Sequence, residues 1–124
     1  MPTFDWITYL VLARTLAEQA DESCKRSAIS RAYYAAYNCA LAYCNTHNIS
    51  ITKNRGLHED LWDAFDRQND IILTTVQTKG DRLRVRRNRV DYNDEVSGLS
   101  SLVEHSLNDS HDILRSLGFN SPPP

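Results

Sequence analysis

The sequence predicts an all-α fold, an up-and-down bundle of four to five helices, on three observations. Apolar residues recur at helical period in successive blocks. The 124 residues include only four glycines and four prolines, and three of the prolines are the last three residues. Few breakers therefore interrupt the interior. No block alternates apolar and polar residues as a half-buried strand does, and no segment repeats.

The first block runs from about Phe4 to Glu18, with Trp6, Ile7, Leu10, Ala13, Leu16 and Ala17 on its inner face and Thr3 as its N-cap. The second, from about Asp21 to Thr46, carries a close-packing stripe of Ala28, Ala32, Ala35, Ala36, Cys39, Ala40 and Tyr43. Residues 48–55 (NISITKNR) read as a loop, and Gly56 precedes the third block, about Leu57 to Arg67, with Leu61, Trp62 and Phe65. The fourth spans about Asp70 to Tyr92. Gly80 is a candidate break in it, with Asp81 capping the second piece. The fifth, about Asp94 to Leu117, places Val96, Leu99, Leu102, Val103, Leu107, Ile113, Leu114 and Leu117 at i, i+3, i+4 spacing. Gly118 terminates it, so residues 1–118 form one domain and residues 119–124 a disordered proline-rich tail.

Hydrophobic content of 41% and charged content of 24% are those of a soluble globular protein. No stretch approaches the ~20 apolar residues of a membrane span, and the N-terminus lacks a signal-peptide pattern. Cys24, Cys39 and Cys44 are odd in number, and Cys39 and Cys44 fall on different faces of one helix, so a reduced, cytoplasmic chain is expected. No Cys/His spacing resembles a zinc site, and neither a metal nor a cofactor is implied. Glu59 and Asp63, one turn apart, read as a solvated helix face, and His105 and His111 are six residues apart and off one face.

Five arginines crowd residues 82–89 although the formal net charge is −2, so the basic segment is local. At ~100° per residue, Leu83 and Val90 coincide and define the buried stripe of that helix. Arg87 falls about 40° to one side of Leu83 and Arg86 about 60° to the other, both at the edge of the core-facing surface. Arg82 and Arg89 project on the far face, where solvation is expected, and Arg84 shares a side with Asp91. Arg87 and Asp91 form an i, i+4 pair able to make a helical salt bridge.

The other unusual passage is Ser30-Arg31-Ala32-Tyr33-Tyr34-Ala35-Ala36-Tyr37. Arg31, Tyr34 and Asn38 share one face; Tyr33, Ala36, Tyr37 and Ala40 share another, and a stripe of that second kind is usually core. This passage, Gly56-Leu57-His58 with Phe65, and Arg87-Asn88-Arg89-Val90-Asp91-Tyr92 stand in order and in register. Together they resemble the HEPN family of small helical bundles, in particular its compact stand-alone bacterial and archaeal members. The likeness spans about Trp6 to Leu117.

The resemblance implies a homodimer related to toxin and antiviral-defence ribonucleases, commonly paired with a nucleotidyltransferase-like partner protein. In the catalytic branch, a metal-independent endoribonuclease, a histidine four to six residues after the motif arginine moves the 2′-hydroxyl proton while arginines steady the phosphorane-like transition state. Counted from Arg87, Tyr92 stands where that histidine is expected. Tyrosine, with an ordinary pKa near ~10, is a poor base at neutral pH. His58 is the histidine the resemblance brings near the motif. The implied catalytic set is therefore Arg87, Tyr92 and His58, with Arg31, Tyr34, Arg86, Asn88 and Asp91 binding RNA or nucleotide phosphate. A non-catalytic module that binds RNA, a nucleotide or a partner chain is the competing expectation, favoured by the missing histidine and by a net charge far from that of dedicated nucleic-acid binders. A third expectation is structural: Arg31, Tyr34, Arg87, Asp91 and Tyr92 as a satisfied network joining the second and fourth helices.

Overall fold

In the computed structural model, which describes residues 3–123, five helices follow one another: α1 (Ile7–Ala17), α2 (Glu22–Thr46), α3 (Leu57–Asp66), α4 (Ile71–Tyr92) and α5 (Leu99–Ser116). Met1, Pro2 and Pro124, the last of these the end of the expected tail, lie outside the described residues. No strand occurs among the described residues. The helices pack as a bundle around α2, which lies against α1, α4 and α5, while α3 packs chiefly on α4.

The small-residue stripe explains the central place of α2. Ala28, Ala32, Ala35, Ala36 and Ala40 are all fully buried, so neighbouring helices approach its backbone closely. The main core adds Leu10, Tyr33, Leu61, Trp62, Phe65, Leu83, Ile113 and Leu114, none of which reaches solvent. A smaller cluster of Ala28, Ile29, Val90 and Val103 closes the other end.

Three boundaries differ from expectation, each for a local reason. Helix α1 starts at Ile7, and Thr3 does not cap it; the carboxylate of Asp5 accepts the Ile7 N–H at 3.1 Å. Helix α4 runs unbroken through Gly80, where the glycine serves close packing rather than a break: a Cβ at that position would run into the indole ring of Trp62. Its start is capped by Asp70, whose side chain accepts from the N–H groups of Ile72 and Leu73. Helix α5 begins at Leu99 rather than near Asp94, after Gly98 in the left-handed region (φ +66°). The turn before it is held from α2: Arg26 donates to the carbonyls of Val90 (2.9 Å), Asn93 and Asp94 (both 2.6 Å), and pairs with Glu22. One guanidinium thereby satisfies the orphan Val90 carbonyl in the last turn of α4 and two carbonyls of the turn that follows.

The first residues of the expected tail lie against the bundle. Phe119 packs on the main core, and buried Ser121 places its hydroxyl 2.7 Å from His111 Nδ1, with Arg14 Nη2 3.3 Å from the same nitrogen. Cys24, Cys39 and Cys44 are all free thiols, and burial pushes Cys39 up to about 12 and Cys44 to about 11. Among the described residues no helix is long and apolar enough to cross a membrane.

Candidate functional site

Three helices bring the sequence-predicted residues together. From α2 come Tyr33, Tyr34 and Tyr37, from the start of α3 His58, and from the last two turns of α4 Arg87, Asp91 and Tyr92. Tyr33 is fully buried and Tyr37 nearly so, whereas Tyr34 and His58 are half-buried and Tyr92 is exposed. The result is an aromatic cluster of α2 and α3 flanked by the Arg87 cation of α4.

The imidazole of His58 stacks on Tyr37 with ring centroids 4.4 Å apart, and its Nδ1 lies 2.7 Å from the Tyr33 hydroxyl. That hydroxyl also accepts the Trp62 indole N–H at 3.2 Å. His58 and Trp62 are four residues apart on α3, as Tyr33 and Tyr37 are on α2, so two i, i+4 pairs face each other. Burial holds the His58 pKa below its ordinary value, and the cations Arg87 and Arg84 act in the same direction while Glu59 opposes them. Burial likewise raises the Tyr33 and Tyr37 phenols, so both are neutral at physiological pH.

Arg87 lies over the Tyr34 ring at 5.1 Å and beside Tyr92 at 5.5 Å, within cation–π range of both. Its Nη1 donates to Asn88 Oδ1 at 3.1 Å. Its Nε stands 2.8 Å from Asp91 Oδ2, an ion pair in which the N–H is not aimed at the oxygen, so that buried N–H lacks a hydrogen-bond acceptor. Ser30 donates to the same carboxylate oxygen at 3.5 Å. The expected i, i+4 pair is thus present, and Arg87 and His58 both neighbour the Tyr34 ring, His58 at 6.1 Å from it.

Two expected members stand elsewhere. Arg31 is exposed and lies 5.0 Å from the Tyr9 ring of α1, outside the network formed by Tyr34, Arg87, Asp91 and Tyr92. Arg86 faces α5, where its Nη1 donates to Asp109 Oδ2 at 2.8 Å. Arg82, expected to be solvated, reaches the other oxygen of Asp109 at 3.4 Å. Consecutive arginines point ~100° apart on a helix, so Arg86 and Arg87 serve different faces of α4.

Sequence reasoning missed Arg84 and Trp62. Arg84 bridges Asp81 and Glu59, tying α4 to the start of α3 beside His58. Asp63, one turn beyond Glu59, pairs instead with Arg55, so the two carboxylates do not act as a pair. Asp60 accepts the backbone N–H groups of Asn54, Arg55 and Gly56 and fixes the loop that delivers His58; those bonds hold its carboxyl below the usual range. Among the described residues no group of His, Cys, Asp and Glu is arranged to hold a metal ion.

Compared with protein-family models, curated proteins and solved structures, the chain matches none.

Proposed function

We propose that this chain is a HEPN-type helical protein, acting as a homodimer, whose Arg87–His58 cleft binds the phosphate of RNA or of a nucleotide. One observation carries the reading: a guanidinium from α4 and an imidazole from α3 converge on the aromatic floor of α2, at the motifs that resemble the family. Arginine supplies a permanent charge and several N–H donors, and stacked aromatics suit an unpaired base. The exposed side chains of Tyr92 and Leu57, one beside Arg87 and the other next to His58 in sequence, support pairing of two copies at this edge. The test is fluorescence anisotropy with a short single-stranded RNA over stepped salt. Affinity that falls steeply with salt supports phosphate recognition; affinity indifferent to salt removes it.

A second reading, a metal-independent endoribonuclease of the toxin or defence type, is favoured by the presence of His58 in the cleft. It needs a free imidazole lone pair facing the 2′-hydroxyl of the substrate. It predicts RNA cleavage and growth arrest on expression, both lost in Arg87→Ala. A nucleotidyltransferase-like partner belongs to this reading and is tested by co-purification with the neighbouring gene product.

A further inference from the structure

The hydrogen-bond chain beneath the cleft decides which proton His58 carries. Trp62 Nε1 can only donate, and it donates to the Tyr33 oxygen at 3.2 Å. Tyr33 is fully buried, and its hydroxyl has one other partner within reach among the described residues, His58 Nδ1 at 2.7 Å. The hydroxyl proton therefore goes to Nδ1, which must accept. Were Nδ1 to carry a hydrogen, two donors would face the Tyr33 oxygen, and the phenolic proton would be buried with no acceptor. The loss of one buried hydrogen bond disfavours that tautomer by roughly tenfold or more.

We infer that the Trp62–Tyr33–His58 chain fixes the neutral imidazole with its proton on Nε2, so that the cleft presents His58 and Arg87 as donors only and takes an anionic oxygen of a phosphate group rather than a proton from a substrate hydroxyl. Nε2 lies on the ring edge away from Tyr33 and makes no hydrogen bond within the described residues. Tyr33 and Trp62 are then positioning residues, acting on the ligand through His58. The groups facing the imidazole agree with this assignment. From α2 these are the phenols of Tyr33, Tyr34 and Tyr37, from α4 the cations Arg84 and Arg87, and from α3 the carboxylate of Glu59, already paired with Arg84. The inference rests on the cleft being a phosphate site, and within that reading it selects binding over base-catalysed cleavage.

The test is long-range ¹H–¹⁵N correlation of the histidine rings in uniformly ¹⁵N-labelled protein at pH 7. His58 is expected as the neutral Nε2–H tautomer, and Tyr33→Phe, which removes the proton donated to Nδ1, should shift the population toward Nδ1–H. Inorganic phosphate should move the His58 Nε2 proton, sodium chloride at matched ionic strength should not, and Arg87→Gln should abolish the response. A dominant Nδ1–H tautomer, a cationic His58 at pH 7, or no response to phosphate overturns the inference. If these signals appear as expected but short RNA does not bind, the RNA reading fails and the tautomer assignment stands.

Discussion

The guanidinium of Arg87 stands 5.1 Å from the Tyr34 ring and 2.8 Å from the Asp91 carboxylate. Two helices thereby share one partly desolvated cation, with one carboxylate to balance it. With 16% of the Arg87 side chain and 28% of the Asp91 side chain exposed, the pair is neither a surface ornament nor a core ion pair. Asp91→Ala should destabilise the fold by about 1 kcal/mol, between the values for exposed and buried pairs. Denaturant unfolding checks it, and unchanged stability would show the pair to be idle.

Gly80→Ala separates two opposed effects. In an exposed helix the change stabilises by about 1 kcal/mol. Here the new methyl would meet the Trp62 indole, so we expect a net loss of about 1–3 kcal/mol, the usual cost of overpacking. A gain in thermal stability would mean that α3 and α4 are not in close contact at this point.

Arg26→Ala should cost about 2–3 kcal/mol, since it strands carbonyls at the end of α4 that now accept charged hydrogen bonds. Hydrogen exchange should speed up first in residues 88–98. Uniform exchange behaviour would argue that the turn holds itself.

Acid should weaken the fold through its histidines. His58 and His111 both have pKa values lowered by burial, with Arg87 next for His58 and Arg14 next for His111. The unfolded chain therefore takes up protons more readily than the folded one below pH ~6.5. The stabilising contribution is fully present above that pH and is lost as pH falls toward the folded-state values. Melting temperature should drop between pH 7.5 and 5.5, and less so in His58→Gln. Asp60 acts only near and below the ordinary carboxylate range, which keeps the two windows apart. A melting temperature that rises over this interval would contradict the assignment.

Much of the fold was legible because helical period is a local property: Leu83 and Val90 mark one stripe, and all five helices appear where that stripe recurs. Arg87 with Asp91 followed from i, i+4 spacing, and the semi-buried edges of Arg86 and Arg87 from ~100° per residue. Gly80 was not legible, since its role depends on a tryptophan 18 residues earlier. Neither was Arg26, which binds wherever α4 happens to end. Arg31 and Arg86 left the expected site because Tyr9 and Asp109, their partners, lie on α1 and α5, and helical spacing says nothing of which neighbour a face meets. The Tyr33–His58 bond joins two of the motifs that carried the resemblance, yet spacing alone could not orient it.

The central claim, that the cleft and not the arginine run as a whole holds phosphate, is tested most directly by two adjacent substitutions. RNA affinity should fall at least tenfold in Arg87→Ala, about 1.4 kcal/mol. Arg86→Ala, which removes a cation that turns to a different face of α4 and binds Asp109 of α5, should leave it within about twofold after correction for any loss of folded protein. Equal losses in the two variants, or a larger one in Arg86→Ala, would contradict the account.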